Sequence, residues 1–193
     1  MKKVLVLIFI LSALIISGCS QGENFTIEYE EFTDEQMEVL SLIGNRAFKY
    51  DLKNLPTDKS YELNVVYEVY KNKEKVKEES LLGMAYGPTE DKIEDPNIAI
   101  NIQENKIRVM FGGVYSTLEI EENIFNLTNY YFNGARKFNI GDEVYLFHSN
   151  DSGYGFPMER LGYLSKEELD SLIEKNEENV FIKLVCEEIK GSP

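Results

Sequence analysis

The chain has no tryptophan, one histidine, two cysteines and five prolines in 193 residues. One imidazole and two thiols cannot build a His-rich zinc site or a multi-disulfide framework. Without tryptophan the chain lacks the aromatic platform that usually lines a deep sugar cleft. Its many carboxylates, which could always be paired on paper, therefore do not nominate a glycosidase. Positive charge is scarce: 20 Lys+Arg stand against 34 Asp+Glu, a net charge of −14 and a pI near 4.6. That balance excludes a phosphate-backbone partner, because binding would release no counterions, so no nucleic acid is expected. Several signatures of chemistry are absent as well. There is no Gly-x-Ser-x-Gly elbow, no phosphate loop ending in Lys-Ser/Thr, no Gly-x-Gly-x-x-Gly and no calcium-loop spacing. Neither a cofactor nor a metal is expected. Apolar side chains are not scarce. A hydrophobic fraction of 43%, with 12 Tyr and 11 Phe, is too high for a disordered acidic chain.

The first nineteen residues carry an address. Lys2 and Lys3 precede an apolar run from Val4 to Ile16. As a helix this run is roughly 20 Å long at ~1.5 Å per residue, short of a ~30 Å hydrocarbon core. It has the size of a signal-peptide h-region. Ile16-Ser17-Gly18-Cys19 follows, an aliphatic residue, two small ones and a cysteine. This resembles the lipobox of bacterial lipoprotein precursors. The resemblance implies diacylglycerol on the Cys19 thiol, cleavage before Cys19 and membrane retention by acyl chains such as palmitate. The usage of 16 Lys against 4 Arg, with 17 Ile and 16 Asn, resembles that of an AT-rich genome, as in many Firmicutes. The expected organisation is a signal peptide over 1–18, a lipidated N-terminus and short tether over 19–24, and one domain over 25–190. The expected location is the cell membrane, lipid-anchored, facing outside the cytoplasm. Two acyl chains give stable anchoring where one gives only marginal binding.

The body reads as β-structure. Phe25, Ile27 and Tyr29 alternate with polar residues, as do Phe48, Tyr50 and Leu52. Tyr61, Leu63, Val65, Tyr67 and Val69 share one face of a long strand, and Asn72-Lys73 makes the turn into its partner. Ile98, Ile100 and Ile102 pair across Glu104-Asn105 with Ile107, Val109 and Phe111. Two capping boxes stand out, Thr33 with Gln36 and Ser165 with Glu168. We expect a mainly β fold, a sandwich or open barrel of about eight antiparallel strands. Two short peripheral helices are placed at about 34–43 and 166–177. With Cys19 acylated, Cys186 is left alone, and strand alternation turns it inward as a small hydrophobe.

Candidate functional residues are few. His148 ends a strand before the Asx-rich turn 149–153 and reads as a structural histidine. Acidic side chains at 90–95 and oxygen donors at 150–152 read as solvated loops. The long segment 149–163 carries Tyr154, Phe156, Met158 and Tyr163 among glycines, and long ordered loops are often functional. These four residues are the candidate ligand-contact set. Removing residues 1–18 takes away Lys2 and Lys3 and no acid, which moves the net charge from −14 to −16. Such a field favours cationic partners, a cationic peptide or a basic protein surface. The expected function is a membrane-anchored, non-catalytic binding or adaptor module. An alternative is an immunity-type lipoprotein that sequesters a cationic peptide. A second alternative is a cell-envelope hydrolase or its accessory subunit.

Overall fold

A computed structural model describes residues 25–91 and 93–190. The leader, Cys19 and the tether through Asn24 lie outside the described residues. Eleven strands form two antiparallel sheets. In chain order they are β1 Phe25–Glu30, β2 Arg46–Lys53, β3 Tyr61–Lys71, β4 Glu74–Tyr86, β5 Asn97–Gln103 and β6 Lys106–Phe111. Then come β7 Val114–Glu119, β8 Thr128–Tyr131, β9 Ala135–Phe138, β10 Glu143–Asn150 and β11 Glu178–Glu188. One sheet runs β7-β6-β5-β2-β1-β9, and the other runs β4-β3-β11-β10-β8. The fold is a sandwich with four open edges, not a closed barrel.

The pattern of alternation explains the two layers. Phe25, Ile27, Tyr50, Leu52, Ile98, Ile100, Ile102 and Phe111 bury the inner face of the first sheet. Tyr61, Leu63, Val65, Tyr67, Val69, Val144, Phe147, Ile182 and Leu184 bury the inner face of the second. Each large side chain so buried contributes about 1.5–3 kcal/mol of transfer free energy. Rings meet across the interface: Phe48 lies 5.6 Å from Phe147 and Phe25 lies 5.6 Å from Tyr61. The Tyr50 hydroxyl is 3.0 Å from the carbonyls of both Phe132 and Leu146. Leu146 sits at a bulge in β10, where the pairing with β11 skips a residue. The Leu146 carbonyl also accepts from Phe132 N at 2.9 Å, so the Tyr50 hydroxyl ties an already bonded carbonyl to the opposite layer.

The mainly β reading holds. The strand total is higher than eight partly because β9 gives no alternation in its four residues, Ala135 to Phe138. Segment 124–132 divides into a 3-10 turn at Ile124–Asn126 and the short β8. Cys186 is buried, and apolar surroundings push its thiol up to about 12, so it is neutral and unreactive.

The two peripheral helices form where their caps lie. Helix α1 spans Asp34–Leu42: Thr33 Oγ1 accepts from Gln36 N at 3.3 Å, and Gln36 Oε1 accepts from Thr33 N at 3.0 Å. Gly44, at φ +68°, ends it in the left-handed conformation that glycine adopts without strain. A one-turn helix, α2, spans Met158–Leu161 inside the long loop. Helix α3 spans Lys166–Lys175 and is capped by Ser165 and Glu168 in the same reciprocal way. It buries Leu172 and packs beside β11. Helix α1 differs in kind. None of its residues is buried, and Met37 and Leu42 are 51% and 80% exposed. Its apolar spacing suits a core-facing helix, yet capping and its own hydrogen bonds hold it more than packing does.

Candidate functional site

The long loop folds onto the outer surface of the sheet that contains β8 and β10. The Tyr130 hydroxyl donates to Gly153 O at 2.5 Å. Lys175 Nζ donates to the Tyr154 hydroxyl at 2.7 Å and lies 4.0 Å from its ring centroid. Phe156 is half-buried and meets Tyr154 edge-on. The Tyr163 hydroxyl donates to Ala135 O at 2.5 Å, with the Arg136 guanidinium over its ring. Met158 stays 38% exposed. A side chain at position 155 or 162 would collide with a ring, Tyr130 or Phe132 respectively. Gly155→Ala is expected to lower stability by about 1–3 kcal/mol, because its Cβ would overlap the Tyr130 ring. Urea denaturation checks this. In a Tyr130→Leu background the penalty should largely vanish, and an unchanged midpoint in the parent would refute the contact.

His148 lies under this loop, fully buried. Its ring stacks 4.5 Å from Phe181 and 5.7 Å from Tyr130. Nε2 is 3.0 Å from Asn179 Oδ1, which also accepts from Asn176 Nδ2 at 3.1 Å. With an acceptor opposite, Nε2 carries the proton of the neutral ring, and Nδ1 has no partner. Burial lowers its pKa to about 4, although the bond to Asn179 works the other way. Such a ring is a poor proton acceptor at neutral pH.

Another site emerges at the opening between the sheets, where β1 and β2 face β8. A cleft of about 530 Å³ lies there, with α1 as its lip. Met37, Leu40 and Ser41 line it from α1, and Asn45, Arg46, Ala47 and Phe48 from the junction with β2. Leu127, Asn129 and Tyr131 line it from the opposite sheet, and Tyr29 from β1. The aromatic wall is continuous: Tyr131 lies 4.9 Å from Phe48 and 5.5 Å from Tyr29. Burial, together with the neighbouring Tyr131, raises the pKa of the Tyr29 phenol. Among the described residues no Asp or Glu lines the cleft, although the chain has 34 of them.

Two of the lining residues each carry a buried polar atom without a partner. Arg46 Nη1 is buried without a hydrogen-bond partner, and burial lowers its pKa. Among the described residues no carboxylate pairs with it. Its guanidinium rests 4.7 Å from the centroid of Phe125. Asn129 Nδ2 donates to Leu127 O at 2.6 Å and to Ile124 O at 3.4 Å, which orients the amide and leaves Oδ1 buried without a donor. A buried donor and a buried acceptor, both unpaired, are costly unless something else satisfies them. With aromatic, aliphatic and amide side chains together in its lining, the cleft has the size of a small-molecule site.

The four loop residues nominated from sequence do not line this cleft, and none of its own lining residues stood out in the sequence. Arg46 there is only a charge before an alternating strand. Asn129 is one of 16 asparagines. Leu127, Asn129 and Tyr131 become relevant only because β8 crosses to face β1 and β2. Among the described residues no three His, Cys, Asp or Glu side chains gather as metal ligands, and no described helix is long and apolar enough to cross a membrane. No protein-family model matches the chain, and no curated protein or solved structure shows a significant match.

Proposed function

We propose that the protein is a lipid-anchored extracytoplasmic binding module without catalysis, and that the cleft beneath α1 is its ligand site. The observation that carries this reading is the cleft: an aromatic and aliphatic lining interrupted by amides and one guanidinium, no acid among the described residues that line it, and two buried polar atoms without partners. The anchor rests on the positive start, the apolar run and the Ile16-Ser17-Gly18-Cys19 box. The absence of catalysis rests on a neutral, stacked His148 and an unreactive Cys186 thiol.

Two measurements test it. Cys19→Ala should shift the protein from the membrane to the soluble fraction of cells, and continued membrane retention would refute the anchor. For the cleft, the absence of native tryptophan is useful. Leu40→Trp places a single indole on the lip. Its emission in phosphatidylcholine vesicles should respond saturably to at least one hexyl-chain solute, uncharged hexanol among them. No response to any such solute would overturn the binding-site reading.

A further inference from the structure

We infer that the cleft takes an amphipathic monoanion whose head group also offers a hydrogen-bond donor. This rests on reading the cleft as the ligand site, and it specifies what occupies it.

Several of the described cations reach a carboxylate. Lys183 lies between Glu68 and Glu143 at 3.1 and 2.9 Å, Lys71 reaches Glu122 at 3.2 Å, and Arg160 reaches Glu168 at 2.6 Å. Arg46 has no such partner, and among the described residues no acid lines its cleft. Its guanidinium keeps its charge, since arginine does not deprotonate in proteins. Phe125 holds it by one face and satisfies none of its N–H groups. A carboxylate or similar anion supplies what Nη1 lacks, in the charge-assisted geometry that guanidinium favours.

The second requirement comes from Asn129. Its Nδ2 is already donating, so the amide cannot turn to offer an N–H, and Oδ1 needs a donor. A bare carboxylate would satisfy Arg46 and leave Oδ1 unpaired. An anion with a neighbouring N–H or O–H satisfies both. Leu40, Phe48 and Leu127 then require an apolar body. A single charge fits best, because a chain at −14 repels polyanions while one local guanidinium attracts one charge. A cationic head is disfavoured by the same guanidinium. The exposed apolar side chains of α1, Met37 first, gain cover when such a body enters.

The test uses the lipid-anchored Leu40→Trp chain in phosphatidylcholine vesicles and four short probes that stay in water. N-hexanoylglycine carries the anion, the N–H and the chain. Its methyl ester loses only the charge. Octanoate keeps the charge and loses the N–H. Hexyltrimethylammonium reverses the charge. N-hexanoylglycine should bind tightest, with the ester about tenfold weaker or worse. Octanoate should fall between them, and hexyltrimethylammonium should not bind. Adding Arg46→Met should erase the preference for acid over ester, and Arg46→Lys should restore part of it, with denaturation midpoints showing that both variants fold. Equal binding of acid and ester would overturn the anion while leaving the cleft a binding site. Tighter binding of hexyltrimethylammonium would overturn it in favour of a cationic ligand. Equal binding of octanoate and N-hexanoylglycine would overturn the donor requirement. Silence from all four probes while hexanol still responds would overturn this inference alone, and silence from hexanol as well would overturn the function it rests on.

Discussion

Lys183→Met should cost about 3 kcal/mol of folding stability, measured by urea denaturation at pH 7, and most of that loss should return when Glu68→Leu is added. Glu68 is completely buried, and the Lys183 side chain is 9% exposed. Both sit on the outer face of the sheet formed by β4, β3, β11, β10 and β8, beneath Tyr145, whose ring Lys183 also faces at 5.8 Å. Burial works against the ammonium charge, but Glu143 and Glu68 together hold Lys183 above its ordinary pKa. Removing the cation alone strands a carboxylate out of water. The loss stays near the lower end of the usual ~3–5 kcal/mol because Lys75 still reaches Glu68 at 2.7 Å. Removing both partners leaves Lys75 its bond to Glu78 and fills the space with apolar atoms. Against a typical ~5–15 kcal/mol for a whole domain, the single variant should be visibly less stable. A loss under about 1 kcal/mol would mean that the pair is solvated and contributes little.

The second large effect is one of pH. His148 is neutral in the folded chain, with a pKa lowered to about 4 by burial, against an ordinary 6.5. Between those values the unfolded chain binds a proton that the folded chain refuses. Stability is therefore fully present above about pH 6.5 and is lost as the pH falls toward 4, by about 3 kcal/mol in total. His148→Phe removes the titration and keeps an aromatic ring between Phe181 and Tyr130, while Asn176 continues to serve Asn179 Oδ1. The difference between urea midpoints at pH 7 and pH 4.5 should shrink markedly in that variant. Glu122 contributes a separate, lower window. Burial alone would raise its pKa, but bonds from Tyr67 and Lys71 bring it below the usual value, so its share is lost only under more acid conditions. An unchanged pH profile in His148→Phe would show that the imidazole is not the group responsible.

Local chemistry accounts for what was legible in the chain. Capping boxes place α1 and α3 because their partners are three residues apart. Alternation assigns the inner faces of β1, β2, β3, β5 and β6 because a strand repeats every two residues. Asn72-Lys73 marks a turn, and both residues adopt positive φ there. What was not legible depended on partners distant in sequence. His148 seemed to end a strand, but α3 and loop 149–163 close over it and make it one of the most desolvated groups in the molecule. Loop 149–163 drew attention by its length and its aromatics, yet many of its contacts are with β8, β9 and α3. Helix α1 has the spacing of a core helix and lies exposed instead. The same spacing serves a lip over a cavity as well as a stripe against a core.

By itself, then, the sequence determined the class of fold, the position of the caps and turns, the inward cysteine and the case for a lipid anchor at Cys19. Each is a matter of neighbours within a few residues, or of composition. Only the tertiary structure decided which polar groups lose their water and which of those find partners. Arg46 and Asn129 lie 83 positions apart in the chain, and nothing local distinguishes them. They share a cleft because β2 and β8 belong to opposing sheets; among the described residues no carboxylate lines that wall to meet Arg46, and no donor reaches Asn129 Oδ1. Desolvation is a property of the assembled layers, and it left one ordinary arginine with a buried N–H group that lacks a partner.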